Sequence, residues 1–158
     1  MSTTTEPTDR LFGALPYLLP LVYALPFGLP LLVKFPQLSI LYVWLGPLFL
    51  AVNSTRFTSL IIFIILYAGV VRNTKIHYFI RFNTLQGILI NIAIVLLGIV
   101  IDFLGIASGG GGILVETSSS VVFLGTLTAC FYAISQSIMG KYAELPTISQ
   151  AAYSQLPY

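Results

Sequence analysis

Charge is scarce in this chain. Only 8% of its 158 residues are Asp, Glu, Lys or Arg, against about 25% in an ordinary soluble domain. The five acids, Glu6, Asp9, Asp102, Glu116 and Glu144, are dispersed, which leaves no carboxylate pair for acid–base chemistry. His77 is the single histidine and Cys130 the single cysteine, so a metal-ligand set and an internal disulfide are both excluded. Neither H-E-x-x-H nor G-x-S-x-G occurs, and His77 lies in a basic turn rather than beside a nucleophile. No catalytic, cofactor or metal site is therefore expected, and the chain is read as a non-enzyme. The seven basic residues are scattered and the formal charge is only +2, which points away from nucleic acid as a partner.

What the chain has instead is apolar length. Hydrophobic residues make up 57% and the mean hydropathy is +0.95, values that place it in the lipid bilayer with room for four spans of about 20 residues. The expected fold is an all-α integral membrane protein with four transmembrane helices and one additional short interfacial or re-entrant helix. Residues 1–10 read as a polar tail that resembles neither a transit peptide nor the start of a signal peptide, so the first apolar segment is expected to be retained. Residues 11–142 read as the membrane domain, with spans at about 11–33, 55–72, 82–105 and 118–140. Residues 143–158 read as a second tail. The first span carries Pro16, Pro20, Pro26 and Pro30, so a kinked helix is expected there. Residues 38–52 are short and interrupted by Gly46-Pro47, which makes them the interfacial or re-entrant candidate. Cys130, in an apolar run, is expected to pack as a small apolar group. Tyr17, Tyr42, Trp44, Tyr78 and Tyr142 fall near segment ends, as an interfacial aromatic belt would require.

Polarity is concentrated in residues 70–91. Arg72, Lys75 and Arg81 lie between two apolar segments. A cation at the centre of a span costs about 2.5–3.5 kcal/mol on insertion scales, so these three belong at one water interface, with Arg81 snorkelling to it. In the third span Asn83, Thr84, Gly87, Asn91, Gly98, Asp102 and Gly105 share one arc of about 100°. Such a face either packs against another helix or, with Asn83 and Asn91 and the flanking Gln86, borders a path for a polar or extended substrate. In the last span Gly125, Ala129 and Ala133 form two overlapping small-xxx-small steps, candidates for close helix packing. With four spans, Arg10, Arg72, Lys75, Arg81 and Lys141 share one side, which the positive-inside rule makes cytosolic, together with both termini. A fifth span at residues 38–52 would give an equally strong bias, so charge alone leaves the count open.

Val71-Arg72-Asn73 followed by Ile80-Arg81-Phe82-Asn83-Thr84-Leu85-Gln86 resembles the signature of the twenty-kilodalton Tic subunit family, components of the protein translocon of the inner chloroplast envelope with cyanobacterial relatives. Tyr17-Leu18-Leu19-Pro20-Leu21 with Pro26-Phe27-Gly28, and Gly140-Lys141 with Leu145-Pro146-Thr147-Ile148-Ser149-Gln150-Ala151-Ala152, extend the resemblance over residues 14–152. It implies four spans with both termini on the cytosolic or stromal side, and a cyanobacterial cell or thylakoid membrane or a plastid inner envelope as location. It also implies a non-enzymatic translocation subunit, with other membrane subunits and a translocating polypeptide as partners. Arg72, Asn73, Lys75, Arg81, Asn83, Gln86 and Asn91 are then the candidate path or partner contacts. Asn91 departs from an aspartate common in the family, so a role there that needs charge is not expected. Two other classes stay open: a small-solute or ion channel or carrier, and a scaffold or assembly subunit that binds through Gly125, Ala129 and Ala133.

Overall fold

The computed structural model describes residues 5–156, so the parts of the expected tails at residues 1–4 and 157–158 lie outside the described residues. Six helical elements follow one another: α1 Pro7–Lys34, α2 Pro36–Val52, α3 Thr58–Val71, α4 Tyr78–Ala107, α5 Ile113–Ile138 and α6 Ile148–Gln155. Three of them, α1, α4 and α5, are long and apolar enough to cross a membrane.

Helix α1 begins in a capping box, the Glu6 amide donating to the Asp9 carboxylate at 3.2 Å. Its prolines do not break it. Missing amide protons tighten it into 3-10 turns at Leu15–Tyr17 and Leu25–Gly28, around Pro16 and Pro26. Helix α2 contains Pro47. Helix α3 winds as α-helix only to Ile64 and as π-helix over Ile65–Val71, so the expected second span is a short, partly underwound element rather than an unaided crossing. Helix α4 starts at Tyr78, four residues before the expected 82, because His77 caps it: the ring Nδ1 accepts the Phe79 amide at 3.3 Å. The glycine-rich linker turns at Gly109–Gly112, all at positive φ, where residues with a Cβ would be strained.

Helices α1, α4 and α5 pack around Tyr17, Leu21, Ala24, Ile90, Ile94, Phe123, Cys130 and Ala133. Close approach is made by α1 and α4. A Cβ at Gly87 would come to 3.0 Å of the Pro16 carbonyl oxygen, and one at Gly98 to 3.0 Å of the Phe27 ring. The small, polar arc of α4 is thus largely a packing face. A second cluster joins Val71, Phe82, Leu85 and Ile88 to Ala152 and Leu156, which makes residues 143–156 part of the bundle rather than a free tail.

Two ends of the bundle can be distinguished. Gly13 lies against Phe79, and Gly140 against Arg10, so the start of α1, the start of α4 and the end of α5 share one end. At the other end Lys34 pairs with Glu116 at 3.9 Å, an exposed pair worth at most about 1 kcal/mol. Helix α2 runs back along α1, the Tyr42 hydroxyl donating to the Leu25 carbonyl at 2.8 Å. Helix α3 starts with Ser59 hydrogen-bonded to the Tyr23 hydroxyl and finishes at Val71, whose carbonyl accepts Arg81 Nε at 2.9 Å.

Candidate functional site

The amides of α4 enter a hydrogen-bonded network sealed inside the bundle. Tyr17, Asn83, Gln86 and Ser137 are fully buried, and Ser149 nearly so. Gln86 Nε2 donates to the Ala143 carbonyl at 3.1 Å and to Ser149 Oγ at 2.8 Å. Ser149 in turn donates to the Ala143 carbonyl at 3.0 Å and accepts the Leu145 amide at 2.7 Å. Asn83 Nδ2 donates to the Phe79 carbonyl at 2.8 Å, and Asn83 Oδ1 accepts the Ser137 hydroxyl at 2.9 Å.

The Tyr17 hydroxyl stands 2.7 Å from Gln86 Oε1 and 2.8 Å from Asn83 Oδ1. A hydroxyl carries one proton. Asn83 Oδ1 already has Ser137 as a donor, whereas Gln86 Oε1 has only Tyr17, so the proton belongs on Gln86. The network therefore binds α1, α4, α5 and α6 to one another. Each bond contributes about 0.5–1.5 kcal/mol net, but each buried partner left orphaned would cost about 1–3 kcal/mol.

The remaining candidates are distributed differently. Arg81 is 3% exposed and donates to the end of α3, so it is an internal strut and does not snorkel to water as expected. Arg72 and Lys75 are exposed at the turn. Asn73 shapes that turn, its Oδ1 accepting the Lys75 amide at 3.1 Å. Asn91 Oδ1 is buried without a hydrogen-bond partner, unlike Asn83 and Gln86. The small residues of α5 divide: Ala133 is in the core, Ala129 half-buried, and Gly125 exposed with nothing within 4 Å of an added Cβ. Tyr17 and Trp44 leave the expected aromatic belt. Tyr17 is fully buried in the network, and Trp44, 78% exposed, stands beside Leu18 and Leu21 in the middle of α1.

Sequence reasoning missed Tyr17, Ser137 and Ser149 as partners of the amides, since they lie 54 to 69 residues from Asn83 or Gln86. Beside the network, Tyr153 donates to the Glu144 carboxylate at 3.0 Å. Burial first, and that hydrogen bond second, push its hydroxyl up to about 12. Outside the sealed centre, an apolar crevice of about 400 Å³ opens between α1, α2, α3 and the start of α4, lined by Phe12, Leu15, Leu48, Val52, Ile62 and Leu66 among others. Among the described residues no group of three His, Cys, Asp or Glu could hold a metal ion.

Residues 2–152 match the family described as "Chloroplast import apparatus Tic20-like". The chain is 45% identical to a Tic20 family protein of Synechocystis, over 99% of this chain and 98% of that protein. It is 38% identical to the Tic20 family protein Ycf60 of Gracilaria tenuistipitata, over 94% of this chain and 75% of the relative. To the chloroplast protein TIC 20-II of Arabidopsis thaliana it is 28% identical, over 98% and 75% of the two chains.

Proposed function

We propose, starting from the fact that this chain belongs to the Tic20 family, that it is a non-enzymatic integral membrane subunit of a protein-translocation machinery. The observation that carries this reading is the correspondence with the import-apparatus family along residues 2–152. The geometry refines it. Asn83, Gln86 and Arg81 are spent on bonds inside the chain, so a polypeptide has no open polar route through the centre. The chain instead borders a path shared with other membrane subunits.

Arg72, Asn73 and Lys75 at the turn meet polypeptide or partner, and the crevice edged by Leu48 and Ile62 faces the path laterally. The bundle supports four crossings with both termini cytosolic or stromal: Arg10, Arg72, Lys75, Arg81 and Lys141 gather at one end, while Lys34, Asp102 and Glu116 mark the other. The membrane is then that of a cyanobacterial cell or a plastid inner envelope. A scaffold role is the second reading, favoured by the open groove of about 300 Å³ between α4 and α5 at Gly125 and Ala129.

Photo-crosslinkers at Lys75, at Ile62 and, as a lipid-facing control, at Leu96, which is 58% exposed, test the reading in living cells. Heterogeneous polypeptides captured at Lys75 and Ile62 but not at Leu96 are expected. One or two fixed membrane proteins at those positions, or none, would replace it with the scaffold reading.

A further inference from the structure

Helices α2 and α3 are 17 and 14 residues long, each below the roughly 20 that a full crossing needs. Their placement against α1 gives the depth of the turn between them. The apolar stretch of α1 runs from Leu11 to Val33, bounded by Arg10 and Lys34, so its centre is at Val22. Leu48 and Val52, late in α2, share a crevice with Phe12, Leu15 and Leu19. Ser59, at the start of α3, is hydrogen-bonded to Tyr23, within about one helical turn of that centre. From there α3 descends to Val71 and Arg81 at the cationic end.

The turn between them, Asn53-Ser54-Thr55-Arg56, therefore lies between the levels of Leu15 and Tyr23, inside the apolar stretch of α1 and not beyond either of its ends. All four residues are exposed. Their polar contacts stay local: Asn53 Nδ2 donates to the Phe49 carbonyl at 2.9 Å, and Thr55 and Thr58 hydroxyls lie 2.8 Å apart. The Lys34–Glu116 bridge is the salt bridge found among the described residues, so Arg56 has no acidic partner there.

We propose that α2 and α3 make one interrupted membrane crossing whose break holds Arg56 at mid-depth, where it draws in water and lipid phosphate and thins the bilayer beside the bundle. An unpaired guanidinium facing hydrocarbon is tolerated only through local thinning and a water defect. Two short helices flanking a polar break provide the shape for one, because unsatisfied backbone at that depth needs a wet cavity. Residue Arg56 then belongs to neither end of the bundle, and α2 and α3 together count as a single crossing. The notch stands on this geometry and not on the translocation reading.

A bimane fluorophore at Ser54→Cys tests it in the full-length protein in phosphatidylglycerol-containing vesicles, with Val43→Cys, on lipid-facing α2, as comparison. Cys130 is fully buried, so the unsubstituted protein serves as the blank. Expected at Ser54 is quenching by lipids brominated at the chain centre together with quenching by aqueous acrylamide. The acrylamide effect should be lost in Arg56→Leu and kept in Arg56→Lys. Stronger quenching by lipids brominated near the headgroup, acrylamide quenching no greater than at Val43, or acrylamide quenching that survives Arg56→Leu would each overturn the proposal.

Discussion

At the scale of single residues, the amides of α4 divide into those with partners and one without. Gln86 has three partners on two other segments. Gln86→Leu would leave the Tyr17 hydroxyl with Asn83 Oδ1 as its one acceptor, leave Ser149 Oγ without one of its donors, and free the segment around Ser149. The expected cost is about 2–4 kcal/mol, read as a lowered unfolding midpoint in nanodiscs and faster proteolysis beyond residue 143. Tyr17→Phe should cost less, about 1–2 kcal/mol, because only Gln86 Oε1 loses its donor. Asn91→Leu should be neutral or stabilising in the same assay, since its buried Oδ1 has no bond to lose. The sequence made Asn83, Gln86 and Asn91 visible as a polar arc on an apolar helix. Which of them are tied was not legible, because the ties come from Tyr17, Ser137 and Ser149, and no spacing rule links residues so far apart in the chain.

Among the helices, glycines separate close contact from open surface. Gly87→Ala would press a Cβ onto the Pro16 backbone at 3.0 Å, a contact only a backbone shift can relieve. A loss of about 1–3 kcal/mol is expected. Gly125→Ala, with nothing within 4 Å, should leave the unfolding midpoint unchanged or raise it slightly through helix propensity. Of the three small residues on α5, Ala133 packs within the chain, whereas Gly125 has nothing within 4 Å of an added Cβ. The polar arc of α4, with Gly87 and Gly98, held the real close approach. Helices α4 and α5 were legible from long apolar runs. The start of α4 at Tyr78 and the existence of α6 were not, because a His77 cap and eight residues of low hydrophobicity leave little periodic signal.

For the whole molecule, the functional reading depends on how the chain crosses the bilayer. On the proposed reading α2, which packs along α1 through Tyr42 and Leu25, is inserted beside α1 rather than lying on the surface. Composition alone fixed the membrane class, whereas the course of residues 36–71 depended on contacts such as Tyr42 with Leu25 and Tyr23 with Ser59. Trp44 is the only tryptophan, is exposed on α2 and stands level with Leu18 and Leu21, so the unmodified protein carries its own depth probe. Its fluorescence should be measured in vesicles of lipids brominated either at the chain centre or near the headgroup. Stronger quenching by the chain-centre bromines is predicted; stronger quenching near the headgroup would put α2 at the surface and contradict the account.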